Sequence, residues 1–132
     1  MLLMKDLAVF SGKSYNFQFI GESNTMELKA ITIIQKEYTE YDDFFLSCEA
    51  FIGPENEPYV YRVYDFNVIS IKRLYNQFSD YGIMLNTGWI IMKFYDEDEI
   101  KEKVTELVRK FNSENDDEFY LKLSRYLRLQ EE

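Results

Sequence analysis

Within the stretch Phe44-Phe45-Leu46-Ser47-Cys48-Glu49-Ala50-Phe51-Ile52, every second residue from Phe44 to Ile52 is apolar, and Ser47 and Glu49 fall between them. Successive side chains of a strand point to opposite faces, so this pattern predicts a strand with one buried face. Working outward, the acidic, Tyr-rich residues 39–43 read as a turn, and Met26 to Tyr38 as a strand rich in β-branched residues (Ile31, Thr32, Ile33, Ile34). The alternation of that strand changes phase near Ala30, which predicts a bulge. Further upstream, Tyr15, Phe17 and Phe19 alternate with Asn16 and Gln18 as another strand, and Gly21 to Asn24 reads as a turn. Downstream, Pro54 and Pro58 bracket a loop, and Tyr59 to Tyr64 reads as a further strand.

The period then lengthens. Asp65 and Asn67 are helix-cap residue types, and Val68, Ile71, Tyr75 and Phe78 recur at helical spacing, which predicts a helix over 68–80 ended by Gly82. A strand continuing through Ile69 and Ile71 is the competing reading. Residues 83–95 read as a hairpin: Ile83-Met84-Leu85, a turn at Asn86-Thr87-Gly88, then Trp89 to Tyr95. Asp96 is placed to cap a helix whose first turn is Glu97-Asp98-Glu99 and whose apolar stripe is Ile100, Val104, Leu107, Val108 and Phe111. Asn112 to Asn115 break it, and Asp116-Asp117-Glu118 open a last helix with Phe119, Leu123 and Leu127 on one side. The expectation is one α+β domain over 1–132, a curved antiparallel sheet packed by two or three helices. It divides into a β-meander (1–66), a helix plus hairpin (67–95) and a helical part (96–132).

Composition narrows function mainly by exclusion. The chain has 24 Asp and Glu against 15 Lys and Arg, a formal net charge of −9. Binding nucleic acid requires cations that displace counterions from phosphates, so direct contact with nucleic acid is disfavoured, as is an anionic membrane surface. A basic protein partner is favoured by long-range attraction. Acidity for solubility alone is the competing explanation. One cysteine, Cys48, allows no internal disulfide and fits a reducing cytoplasm. The apolar start Met1-Leu2-Leu3-Met4 is cut off by Lys5 and Asp6, too short for a signal core or a spanning helix, and reads as the start of a strand.

Catalytic apparatus is scarce. With no His, the usual general base and commonest metal ligand are missing, so Ser-His-Asp and Cys-His arrangements are excluded. One thiol cannot build a structural zinc site, and no Gly-rich phosphate loop occurs. No cofactor, no metal and no enzymatic activity are expected. Glu27-Leu28-Lys29 has the E-x-K spacing of some metal-dependent nucleases, with Glu22 or Asp6 as upstream partner, but a solvated strand face produces the same tripeptide. Cys48 lies in phase with the apolar face and reads as core, not as a reactive thiol.

Two constellations could bind. Acidic groups crowd three places: Glu37, Glu40, Asp42 and Asp43 at a hairpin tip, Asp96, Glu97, Asp98 and Glu99 at one helix start, and Glu114 to Glu118 at another. Helix-start acids also stabilise the macrodipole without any partner. Gathered on one side, with Tyr38, Tyr41, Tyr95 and Tyr120 interleaved, they would present spaced negative charge and aromatic anchors. The second constellation is Arg62 flanked by Tyr59, Tyr61 and Tyr64, suited to an anionic or planar ligand, unless Arg62 simply pairs with Asp65 or Glu49.

Phe44-Phe45-Leu46 followed by Tyr61-Arg62-Val63 resembles the core of WYL domains over about residues 15–71. That resemblance implies an Sm-like β-barrel sensing nucleotides or nucleic acid, although the family's second arginine and its Trp are missing here. The leading expectation is a small acidic protein-binding module: a stoichiometric inhibitor, an immunity or anti-defence factor, occupying a basic site on a nuclease or other nucleic-acid enzyme. A small-ligand or nucleotide sensor is the alternative. Exposed aromatics and a free sheet edge leave a homodimer open.

Overall fold

A computed structural model describes residues 25–81, 87–112 and 115–130, with the side chains of 78–81 left aside. The strand read at Tyr15–Phe19, the Gly21–Asn24 turn, the helix stop at Gly82 and the first arm of the 83–95 hairpin lie outside the described residues. The chain runs β1 (Met26–Glu40), β2 (Asp43–Pro54), β3 (Arg62–Ser70), α1 (Ile71–Tyr81), β4 (Trp89–Met92), α2 (Glu97–Phe111), α3 (Asp116–Leu123) and β5 (Arg128–Leu129). The sheet order is β1-β2-β3-β4, with β5 paired to β3. This is the α+β class expected, a curved sheet packed by helices, but the sheet is mixed and, among the described residues, does not close into a barrel.

The strand from which the reading began is the spine. Phe44, Leu46, Ala50 and Ile52 are fully buried and Cys48 nearly so. Antiparallel register sets Leu46 opposite Val68, Cys48 opposite Phe66 and Ala50 opposite Tyr64, which extends one apolar face across β3. β1 joins on the other side, with a register shift between Leu28 and Ala30 where the alternation changed phase. Ile100, Val104 and Val108 of α2 and Phe119 and Leu123 of α3 close over this face. Burying such aliphatic side chains contributes about 1.5–3 kcal/mol each.

Two element boundaries differ from the sequence reading. Asp65 and Asn67 do not cap a helix; they are interior to β3, which continues to Ser70. The period of two wins here because Tyr64, Phe66 and Val68 all find partners on the β2 face, whereas a helix from residue 68 would strip Val68 and Ile69 out of the core. Ile71 and Tyr75, read as an apolar helix stripe, are 52% and 73% exposed. Likewise Tyr59, Val60 and Tyr61 are exposed loop residues and the strand begins at Arg62. Gly53 makes that loop feasible: a Cβ there would stand 2.0 Å from the Val60 carbonyl oxygen.

The second difference concerns β4. Trp89–Met92 pairs in parallel with Asn67–Ser70, so β4 returns through α1 as a crossover and is not paired antiparallel to β3. The turn from β3 into α1 rests on Ser70, the one buried polar residue of the described chain. Its Oγ accepts from the Arg73 N–H at 3.1 Å, capping the helix, and from the Phe44 N–H at 3.1 Å across the sheet.

Ser70→Ala removes the cap and leaves the buried Phe44 N–H without its acceptor, so stability should fall by roughly 2–3 kcal/mol. Urea denaturation measures this, and a loss below about 0.5 kcal/mol, the level of an ordinary surface change, would contradict the assignment.

Burial also predicts an alkaline limit. The Cys48 thiol is pushed up from 9.0 to about 11 by desolvation. The Tyr64 phenol, which donates to the Tyr120 carbonyl at 3.1 Å, is pushed up from 10.0 to about 12, again chiefly by burial. Both groups keep their protons in the folded state at pH values where the unfolded chain has lost them. Their contribution is therefore complete below pH 9 and declines through 9–11 for Cys48 and 10–12 for Tyr64. Denaturation midpoints from pH 8 to 11.5 should fall less steeply in Cys48→Ala and Tyr64→Phe; parallel profiles in all three proteins would refute the mechanism.

Candidate functional site

The β1–β2 hairpin turns at Tyr41-Asp42, with Glu40 and Asp43 closing the ladder. Its acids are not free. The Arg73 guanidinium donates through Nε to Asp43 at 2.7 Å, through Nη1 to Glu37 at 3.0 Å and through Nη2 to the Thr39 hydroxyl at 2.9 Å. Lys72 Nζ lies 3.6 Å from Glu40 and 3.7 Å from Asp42. Asp42 Oδ1 is buried and has no hydrogen bond, so the Lys72 contact is ion pairing at a distance. Asp42 first, then Glu40, raise the Lys72 ammonium above its ordinary pKa. The first turn of α1 thus clamps the hairpin tip, and four of the predicted partner-binding carboxylates serve partly as its internal ligands.

The second acidic group is brought to the same end of the molecule. The Tyr95 N–H donates to the Tyr41 carbonyl at 2.7 Å. The Tyr95 ring stands edge-on to Tyr38 at 5.3 Å and to Phe44 at 5.2 Å, while Phe94 stacks on Tyr41 at 5.2 Å. Lys36 lies over both the Tyr95 and Tyr38 rings. The Tyr95 hydroxyl donates to Glu97, and desolvation first, then that carboxylate, raise the phenol's pKa. The strip preceding α2 is therefore laced to the hairpin, and α2 starts beside it.

Within that start the acids divide by role. Asp96 caps the helix, its Oδ1 accepting from the Asp98 and Glu99 N–H groups at 3.0 and 3.2 Å. Glu97 is held by Tyr95. Asp98 and Glu99 have no side-chain hydrogen bond or ion pair among the described residues, and both are exposed. Upstream of this helix, Tyr41 and Phe94 form an aromatic stack 57% and 47% exposed. A groove of about 360 Å³ continues from Asp98 between α2 and β1, floored by Leu28, Ile31 and Ile33. Sequence reasoning did not single out Phe94, Lys72 or Arg73: nothing local ties them to residues 37–43, and only the fold brings them together.

The third acidic group does not join the other two. Asn112, just before α3, accepts from the Met26 N–H at 2.8 Å, at the end of β1 remote from the hairpin tip. A strand of 15 residues spans roughly 40–50 Å, which separates Asp116, Asp117 and Glu118 from the hairpin acids. Tyr120 is buried and offers no surface.

The Arg62 constellation separates as well. Tyr64 is fully buried and Tyr59 is 92% exposed, so they share no surface. Tyr61 turns edge-on to Phe51, and Arg62 lies 4.3 Å above the Tyr120 ring. Asp65 and Glu49, the expected partners of Arg62, bond to Gln130 instead. Among the described residues the sheet is open, not a barrel, and the ligand cluster of the WYL-like reading is dispersed. Lys29, its side chain mostly buried, pairs with Glu27 at 3.1 Å and donates to the Pro54 carbonyl at 2.7 Å; the proposed upstream partners lie outside the described residues. Cys48 is core, as its phase required.

Among the described residues no helix is long and apolar enough to cross a membrane. No curated protein and no solved structure matches the chain. A family model does: Immunity protein 8 matches residues 26–130, a span that runs from the first residue of β1 to the residue after β5 and includes the clamped hairpin, the Tyr95 strip and all three helices. The chain belongs to the immunity protein 8 family.

Proposed function

We propose that this protein is an immunity factor that neutralises a toxin by stoichiometric binding, without catalysis, and that its target is a basic site on a nuclease or other nucleic-acid-handling protein. The observation carrying this reading is the convergence, on a chain of this family, of the hairpin tip and the α2 start through Tyr95. The exposed Tyr41–Phe94 stack supplies the aromatic anchor, and Asp98 and Glu99 supply carboxylates that no cation of the described chain neutralises. Arg and Lys of the toxin pair with these, while the rings exclude water around the charged contacts. Glu37, Glu40, Asp42, Asp43 and Tyr38 shape the tip and add to the local field, with Lys72 and Arg73 cancelling part of it. A net charge of −9 speeds encounter with a cationic partner.

Affinity purification from the native host, with mass spectrometric identification and growth rescue on co-expression, supplies the toxin. Asp98→Lys with Glu99→Lys should then slow association about tenfold at low salt, with a smaller effect at high salt. Tyr41→Ala with Phe94→Ala should raise Kd by about 30–100-fold, mainly through faster dissociation. Glu37→Gln should lower stability slightly and leave Kd within about twofold, because Glu37 is occupied by Arg73. Unchanged kinetics in the first two variants would remove this end of the molecule as the binding site; capture of no toxic protein would remove the immunity reading itself.

A further inference from the structure

The β1–β2 hairpin has a weak point just before its tip. Tyr38 stands opposite Phe44 and Glu40 opposite Asp43, so Thr39 is an extra residue on β1 with no partner on β2. Such a bulge interrupts the ladder and leaves a single facing pair between it and the Tyr41-Asp42 turn. That last pair sets two carboxylates, Glu40 and Asp43, directly opposite each other, where like charges repel. The two strands alone hold the tip poorly, yet the tip carries Tyr41, the aromatic anchor of the proposed interface.

Arg73 bridges this weak point. Its guanidinium bonds Asp43 on β2 and both Glu37 and Thr39 on β1, so one side chain spans the two strands and includes the bulged residue. The contact with Asp43 is the shortest, at 2.7 Å, and joins side chains only 19% and 18% exposed, where salt screens less than at an open surface. The base of the side chain is fixed as well. The Arg73 N–H donates to Ser70 Oγ, which also accepts from the Phe44 N–H beside Asp43. Backbone and guanidinium of one residue are thus both fastened to the start of β2. Tyr95 grips the hairpin differently, through the Tyr41 carbonyl and the Tyr38 and Phe44 rings, and alternation puts Glu37 on the face opposite Tyr38. Lys72 stands 3.6 and 3.7 Å from its two carboxylates and is half exposed, a surface pairing of small worth.

We infer that Arg73 is a positioning residue for toxin binding: it holds the hairpin tip in the arrangement that stacks Tyr41 on Phe94, so that the toxin meets a preformed anchor. This role rests on the immunity reading and on the tip as its contact surface. A partner that must select an ordered tip from a mobile one binds more weakly, in proportion to the fraction of molecules that are ordered. Charge points the other way. Without Arg73, Glu37 and Asp43 lose their cation, the tip becomes more negative, and a basic toxin is attracted more strongly. Positioning and charge cancellation therefore predict opposite signs for the same substitution. A lysine at this position keeps the charge but offers a point donor in place of the planar fork that reaches acceptors on both strands.

Two measurements on the full-length protein separate these accounts. In the free protein, amide relaxation over residues 39–43 should give order parameters of about 0.85, falling below about 0.6 in Arg73→Gln and lowered also in Arg73→Lys, with the sheet core unchanged. Lys72→Gln, which removes the same charge, should leave them in place. With the toxin captured by affinity purification, Arg73→Lys should raise Kd about fivefold at constant net charge, the effect of an ordered fraction of about one-fifth. Arg73→Gln should raise it at least as far, although charge alone would lower it, while Lys72→Gln should speed association at low salt. Order parameters unchanged in both Arg73 variants would overturn the positioning role and leave the immunity reading intact. So would a Kd for Arg73→Lys within about twofold of the unaltered protein's, or tighter binding by Arg73→Gln. Toxin binding indifferent to Tyr41→Ala with Phe94→Ala would instead remove the tip as the contact surface, and the role of Arg73 with it.

Discussion

Every other feature of this molecule depends on the burial of one face of β2. Phe44, Leu46, Cys48, Ala50 and Ile52 contribute a continuous apolar ridge, and β3 doubles its width through Tyr64, Phe66 and Val68. Three aliphatic side chains of α2, and Phe119, Tyr120 and Leu123 of α3, then close over it. Because a strand alternates strictly, committing this face to the core commits Ser47, Glu49, Asp65 and Asn67 to the other. The same constraint that builds the hydrophobic core therefore decides which polar groups are displayed together.

The distribution of charge follows from how the ends of the elements are fastened. Lys72 and Arg73 sit in the first turn of α1, where basic residues oppose the helix macrodipole. Their placement is compensated by the hairpin acids, so the helix start and the hairpin tip hold each other in position. The α2 start shows the opposite logic, with Asp96 and Glu97 engaged locally and Asp98 and Glu99 facing solvent. Net acidity is thus not spread as a uniform coat. Part of it is consumed as structure, while Asp98 and Glu99 remain exposed at the α2 start.

Much of the architecture was legible in the order of residues. The β2 alternation, the bulge near Ala30, the Asp96 cap with its acidic first turn and the Asn112–Asn115 break each have a local cause, and each appears where its cause lies. The misreading at residues 65–71 arose because Asn and Asp suit a helix cap and a solvated strand face equally well. Ser70 was the better cap, but its second role as acceptor for the Phe44 N–H is invisible without the β2–β3 register. The Arg62 cluster failed for a related reason: proximity along a strand does not keep tyrosines on one surface, and Tyr64 belongs to the core.

Periodicity and composition by themselves determined the α+β class, the buried face of the sheet, the starts of α2 and α3 and the absence of histidine-based chemistry, because these depend on spacing and residue type along one segment. Tertiary structure alone decided that β4 joins the sheet in parallel, that Tyr95 ties the α2 start to the hairpin tip, and which carboxylates are already paired. Ion pairs and ring contacts join residues far apart in sequence, Tyr38 with Tyr95 at 57 positions and Glu37 with Arg73 at 36. Their energy depends on separations of a few ångströms, and a linear pattern carries no information about such distances until the chain has folded.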